Sequence, residues 1–291
     1  MAIDRQRNSP GELRLMCVLA HPDDESLGMG GTLAKYAGEG VETYLVTATR
    51  GERGRCGDGK ESPGPEVVGQ IREAELRAAA GELGVHEVSL LGFMDGDLDR
   101  VEPSKAVASI AHQLRRVRPH VVITFGPEGG YGHPDHIAVC QFTTAAVVCA
   151  ADPSYGDDIH RVEKLYYMAW SVGKWDVYQE ALRTLTSSVD GVLRQATPWP
   201  EWAITTVIDT VECWQRVWKA VSCHKSQMGI YGPLENLSPE QHQALWGSQE
   251  YYRVFSLVNG GRNQETDLFE GLRDQTERKY IAEEGKDDGN A

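Results

Sequence analysis

The chain has no Cys-x-x-Cys pair and no apolar run near the roughly 18 residues that span a bilayer. It also has no excess of basic residues. Its six cysteines (Cys17, Cys56, Cys140, Cys149, Cys213 and Cys223) are scattered over 291 residues, and a chain this long does not depend on disulfide staples. Cys17, Cys140 and Cys149 sit among apolar neighbours and read as small core residues. The thiols therefore suggest a reduced, cytoplasmic protein. Lys plus Arg total 29 against 43 Asp plus Glu, a net charge of −14. Such a balance argues against nucleic acid or an anionic membrane as partner. The first twelve residues are polar and contain Pro10 and Gly11, unlike a signal peptide. No lipidation signal, basic amphipathic helix, internal repeat or convincing linker is visible.

What is present reads as one domain over residues 1–291, with a flexible leader at 1–12 and a frayed polar tail at 276–291. Apolar runs at 13–20 (LRLMCVLA), 41–49, 85–91 and 120–125 suit strands, with later ones at 164–170 and 203–209. Helical patterns begin after His21 and run through Tyr36, then cover 70–83, 104–117, 135–150 and 211–224, the last with Trp214, Val217, Trp218 and Val221 on one face. A Gly- and Pro-rich loop fills 51–69. Nearly all-apolar strands alternating with helices predict an α/β fold. The expected form is a Rossmann-like three-layer sandwich around a mainly parallel sheet, with a C-terminal elaboration. Gly28, Gly30 and Gly31 fail the dinucleotide fingerprint because its third position is Leu33, and close helix packing explains them better.

Two turns carry the chemistry. His21-Pro22-Asp23-Asp24-Glu25 and His133-Pro134-Asp135-His136 each follow an apolar run and precede an amphipathic one. In open parallel sheets ligands bind beyond the carboxyl ends of strands, where both turns fall. Pro at the first helical position would put Asp23 and Asp135 in first turns, where a carboxylate suits the helix dipole. Together the turns offer His and Asp ligands for one divalent metal, leaving an open position for water and spare groups for proton transfer. Spacing does not decide between His133 and His136 as ligand, nor between Asp23 and Asp24. A 2-His-1-carboxylate iron site matches the ligand count, but the spare acid and base groups favour hydrolysis. A metal-holding module without turnover would need neither Asp23 nor His133.

At these residues the chain resembles the LmbE-like, or PIG-L, family of zinc-dependent N-deacetylases, which includes N-acetylglucosaminyl-phosphatidylinositol deacetylases and the deacetylases and amidases of mycothiol and bacillithiol metabolism. The matching segments are Ala20–Gly40, GERG at Gly51–Gly54, the Arg72/Glu75 helix, LGFMDGDL at Leu91–Leu98, GGYGHPDH at Gly129–His136 and SCHKSQ at Ser222–Gln227. The resemblance implies His21, Asp24 and His136 as Zn2+ ligands, Asp23 as general base on zinc-bound water, and His133 as oxyanion stabiliser and proton donor. It further implies Asp135 holding the His133 ring, Tyr131 contacting the reacting carbonyl, and Arg72 and Asp95 contacting the sugar. Arg53, in the loop, is a candidate contact for substrate. The implied substrate is a small-molecule N-acetylglucosamine-type sugar or glycoconjugate. An amidase cutting a larger acyl group is the alternative, another divalent metal could serve in vivo, and a homo-oligomer is left open. A sugar-stacking role is a further reading for Trp170, Trp175, Trp199 or Trp202, and His224 either caps its helix or reaches the pocket.

Overall fold

The computed structural model describes residues 13–56, 62–182, 186–189 and 191–273. The expected leader and the expected tail lie outside these residues. In chain order the elements are β1 (Arg14–Leu19), α1 (Asp24–Gly38), β2 (Glu42–Thr49), α2 (Pro65–Leu83), β3 (Glu87–Phe93), α3 (Pro103–Val117), β4 (Val121–Thr124), the single turn α4 (Gly129–Gly132), α5 (Pro134–Ala151) and β5 (Lys164–Met168). There follow α6 (Val172–Ala181), β6 (Thr186–Val189), β7 (Val192–Gln195), β8 (Thr206–Asp209), α7 (Trp214–Cys223), the single turn α8 (Met228–Tyr231), α9 (Pro239–Trp246) and β9 (Ser248–Ser256).

Seven strands form one sheet in the order β3-β2-β1-β4-β5-β9-β8. The first five are parallel, and β9 runs antiparallel between β5 and β8. The fold is thus the expected α/β three-layer arrangement. The winding reverses between β1 and β4, which lie side by side in register from Leu15 opposite Val121 to Cys17 opposite Ile123. This is the switch point at which such sheets open a crevice for ligands. Both His-Pro-Asp turns leave the carboxyl ends of these two strands. Every residue of β1 and β4 is buried, so strands covered on both faces read as unbroken apolar runs. Among the glycines of α1, Gly28 faces Met168, Gly30 faces Val217 and Gly31 faces Thr210, each too close for a Cβ to fit without a shift. Close packing therefore accounts for them.

Several elements differ from the sequence reading. Helix α2 begins at Pro65 rather than Gln70, because proline at the first position starts a helix that composition alone reads as loop. Strand β9 is absent from the sequence reading: SQEYYRVFS is half-buried and lacks a continuous apolar run. The hairpin β6–β7 and helices α6 and α9 were likewise not anticipated. The elaboration has its own small core of Tyr178, Val217, Val221, Tyr231, Leu234, Leu245 and Trp246, on which Trp214 and Trp218 pack as their helical spacing predicts. All six cysteines are free thiols, and no described helix is long and apolar enough to cross a membrane.

Candidate metal centre

The second turn forms as proline placement predicts. His133 is the N-cap of α5, Pro134 opens the helix, and His133 Nδ1 accepts the Asp135 N–H at 3.2 Å. That bond leaves Nε2 as the ring nitrogen available to the cavity and, in neutral imidazole, as the one carrying the proton. The first turn departs from expectation. Helix α1 starts two residues later in the motif, so Asp23 rather than His21 is the N-cap. Asp23 takes φ 102° and ψ −26°, a left-handed conformation rare outside glycine. Its N–H donates to Glu25 Oε2 at 2.9 Å, while its C=O accepts from Ser26 and Leu27 at 3.1 and 3.0 Å.

Three donor groups converge between the turns, with Asp24 facing the two imidazoles through different oxygens. His21 Nδ1 lies 3.3 Å from His136 Nε2 and 3.6 Å from Asp24 Oδ2, and His136 Nε2 lies 3.4 Å from Asp24 Oδ1. Metal–ligand bonds of about 2.0–2.1 Å set at tetrahedral angles separate ligand atoms by about 3.3–3.4 Å. The trio therefore fits one zinc-sized ion. The opposite nitrogen of His21 is held by carboxylates: Nε2 lies 3.0 Å from Asp135 Oδ2 and 3.1 Å from Asp95 Oδ1. A ligating histidine steadied by a carboxylate on its far nitrogen is a recurrent metal-site device. His136 stacks on Phe125 with ring centroids 3.9 Å apart, which fixes its plane.

This arrangement corrects one expectation. Asp135 does not hold the His133 ring with its carboxylate. Its two oxygens take His21 Nε2, the Gly96 N–H at 2.6 Å and the Leu98 N–H at 3.1 Å. The helix start explains why: Asp135 follows the N-cap and is fully buried toward the β3–α3 connection, on the His21 side. Arg72, expected at the sugar, directs its donors to Gly51 O at 2.9 Å, Pro22 O at 2.5 Å and Asp23 Oδ2 at 3.0 Å. Asp95 is partly occupied by His21 and by the Arg53 N–H at 3.0 Å. The half-exposed Arg53 guanidinium is paired with Asp97. All three nonetheless line the same cavity as the metal trio.

Electrostatics separate the two spare groups. Burial pushes the Asp23 carboxyl up, against the pull of Arg72. Burial and then the neighbouring His21 and His136 bring His133 down to about 4. Burial would raise Asp24, but the facing His136 and His21 hold it well below the usual carboxylate range. His21 is raised despite burial, because Asp135 and Asp95 bond its ring. A cluster that gathers positive charge among buried carboxylates suits a cation.

Tyr131 sits in the Gly-Gly-Tyr-Gly turn, where Gly129, Gly130 and Gly132 have φ of 66°, 69° and 77°. Those angles carry the chain around Tyr131 and bring its ring 5.8 Å from that of His133. The β6–β7 hairpin braces this turn, with Ser187 Oγ donating to Gly132 O at 3.1 Å.

The cavity holding these groups measures about 700 Å3. Its lining includes the polar Arg53, Arg55, Arg72, Asp95 and Gln227 and the largely apolar Leu27, Met168, Trp170, Tyr178, Leu182 and Ile230. A second cavity of about 510 Å3 shares Arg53, Gly54 and Arg55 with it. Of the four tryptophans, Trp170 lines the main cavity and stacks on Tyr178 at 4.3 Å, Trp175 and Trp199 line a small neighbouring space, and Trp202 is exposed. His224 neither touches the cavity nor stays a simple cap, since its Nε2 lies 2.7 Å from buried Glu25 Oε1. The Glu25–His224 pair and the Tyr231 hydroxyl, 2.6 Å from Asp23 Oδ2, were not anticipated. The SCHKSQ segment signals the first, but nothing in the sequence signals Tyr231.

A sheet switch point flanked by two metal-competent turns with a buried carboxylate, Asp23, beside them suits hydrolytic chemistry, and comparison with known proteins defines the class. A family model described as PIG-L: GlcNAc-PI de-N-acetylase matches residues 16–147. The 1D-myo-inositol 2-acetamido-2-deoxy-alpha-D-glucopyranoside deacetylase of Nocardioides sp. is 35% identical over 89% of this chain and 98% of its own. The mycothiol S-conjugate amidase of Streptomyces coelicolor is 31% identical over 90% of this chain and 98% of its own. The chain belongs to the PIG-L, or LmbE-like, family of hydrolytic N-deacetylases. Among solved structures, the conserved protein TT1542 of Thermus thermophilus superposes with a TM-score of 0.62 at 26% identity, covering 85% of this chain and 97% of that one. A 4-carboxy-2-hydroxymuconate hydratase of Pseudomonas putida superposes at 0.63 with 19% identity, covering 86% and 99%. The shared fold with a hydratase means that the chemistry must be argued from the site.

Proposed function

We propose that this protein removes the acetyl group from an N-acetylglucosamine-type sugar conjugate, using a zinc ion held by His21, Asp24 and His136. The observation that carries the reading is the convergence of those three donor groups at 3.3–3.6 Å beside Asp23 and His133. When bound there, the ion supplies Lewis acidity to the amide carbonyl and acidity to water. The protein's groups do the rest. Asp23 takes a proton from the attacking water as its oxygen bonds to the carbonyl carbon. His133 Nε2 and the Tyr131 hydroxyl face the developing oxyanion as donors. The C–N bond then breaks, acetate leaves, and the departing amine takes up the proton that Asp23 accepted from the attacking water, while His133 Nε2–H stays on the oxyanion. Arg53, Arg72 and Asp95 are the polar lining groups for sugar hydroxyls, with Arg72 acting also through Asp23. The second cavity beyond Arg53–Arg55 gives room for an aglycone, which supports a conjugate over a free monosaccharide. Six unpaired thiols support a reducing compartment such as the cytoplasm.

Cleavage of a larger acyl group from a sugar or thiol conjugate is the second reading. It is favoured by the largely apolar lining residues Leu27, Met168, Trp170 and Ile230 and by the amidase relative. The test is amine release from N-acetylglucosamine glycosides and from matched N-acyl conjugates of increasing chain length, with zinc and with a chelator. Zinc-dependent release from the acetyl conjugates is expected. Release confined to long acyl chains would establish the amidase reading, and release indifferent to metal would overturn both.

A further inference from the structure

Asp23 carries three constraints that do not come from the metal trio. Its backbone is fixed in the left-handed region by the bond from its N–H to Glu25, and Glu25 is in turn held by Ser26 Oγ at 2.5 Å and His224 Nε2 at 2.7 Å. Its carboxylate receives two donors, Arg72 Nη2 at 3.0 Å and the Tyr231 hydroxyl at 2.6 Å, both on Oδ2. Among the described residues no donor reaches Oδ1, so Oδ1 is the oxygen left for water in the cavity that Asp23 lines.

We propose that Tyr231 is a positioning residue for the proposed base, holding Oδ2 of Asp23 so that Oδ1 faces the reacting water. The proposal rests on the deacetylase reading. The torsion of a carboxylate about its last bond is broad and nearly two-fold. Arg72 alone, with several donors on a planar fork, can bond either oxygen. A second donor arriving from another element removes that freedom. Tyr231 is suited to the task because its body is fixed elsewhere: the ring belongs to the small core of the elaboration with Val217 and Leu234. The segment that carries it is clipped onto the catalytic half. Glu75 of α2 accepts from Ser226 N and Oγ at 2.7 and 2.6 Å, and Gln227 Nε2 donates to Arg55 O at 2.6 Å. The C-terminal elaboration thereby reaches back 208 residues to orient the base.

Tyr231→Phe keeps the ring and its packing and removes only the hydroxyl. The expected result with zinc-loaded enzyme is a fall in kcat of about ten- to a hundredfold, the scale of a hydrogen bond to a charged group, with KM, bound zinc and Tm unchanged. In an Asp23→Asn background the same substitution is expected to have no further effect on residual turnover, because Tyr231 acts only through that carboxylate. An unchanged kcat, a loss that tracks lost zinc or lowered Tm, or full multiplication of the two losses would overturn the proposal. Wild-type protein that releases no amine from any acyl conjugate would instead overturn the function reading and the proposal with it, a result distinct from equal activity of wild type and Tyr231→Phe.

Discussion

At His21-Pro22-Asp23-Asp24 the helix begins two residues later in the motif than at His133-Pro134-Asp135-His136, and that offset sets two nearly identical turns apart. In the second turn the histidine caps the helix with an ordinary backbone, and Asp135 drops into the interior. In the first, the aspartate is the cap, at φ 102°, a strain of order 1 kcal/mol that the Glu25 bond offsets. The roles then cross. Asp135 of the second turn steadies His21 of the first, while His136 of the second turn joins Asp24 of the first around one point. Each turn is incomplete without the other, which is why both sit on adjacent strands at the switch point.

The comparison breaks most completely if one ligand is lost. His136→Ala removes the second turn's share of the trio. Bound zinc, measured by elemental analysis, and amine release are both expected to fall to background. A variant that keeps zinc and turnover would show that the two turns do not share an ion. Asp23→Asn comes next. It leaves the trio intact, so zinc content should hold while kcat drops about 10²–10⁴-fold, the range of general acid–base catalysis. Full activity in this variant would remove Asp23 from its role. The crossing itself is tested by Asp135→Asn. If Asp135 serves His21, zinc affinity should weaken about 10–100-fold, as for other partners of ligating histidines. If it serves His133 instead, affinity should stay and kcat alone should change. Zinc competition against a calibrated chelator separates the two.

Much of this was legible in the sequence, and for a physical reason. Buried parallel strands need unbroken apolar runs, so β1 and β4 and the turns after them stand out. The proposed split between ligand and base in the first turn does not follow from spacing, because it depends on where a helix starts to within two residues; only the family resemblance implied it. The Asp135–His21 bond spans 114 residues and the Tyr231–Asp23 bond 208. Contacts between distant segments leave no local pattern. The half-buried β9 was missed because polar residues in an antiparallel strand near a sheet edge mask its period.

The smallest effect on either turn is expected from the other buried charge cluster, which makes it the control. Glu265 accepts from Lys164 Nζ at 2.7 Å, Tyr166 Oη at 2.7 Å, Arg253 Nη1 at 2.8 Å and Asn259 Nδ2 at 2.8 Å, beneath β5 and β9. Burial would raise its carboxyl, but these donors bring it down to about 2. A folded value below the unfolded one means stability that is fully present above about pH 4.5 and is lost as pH falls toward 2. Glu265→Gln leaves Lys164 and Arg253 without their counter-charge, at a cost of about 3–5 kcal/mol. It should lower Tm at neutral pH and flatten the loss of stability between pH 4.5 and 2. Because the cluster touches neither turn, kcat per folded molecule at 25 °C should match wild type. An equal kcat beside a lowered Tm would show that the charge at the two turns serves chemistry and the charge at Glu265 serves the fold. A kcat that falls with Tm would mean that the sheet transmits strain from β5 to the turns, and their division of labour would then be a property of the whole sheet.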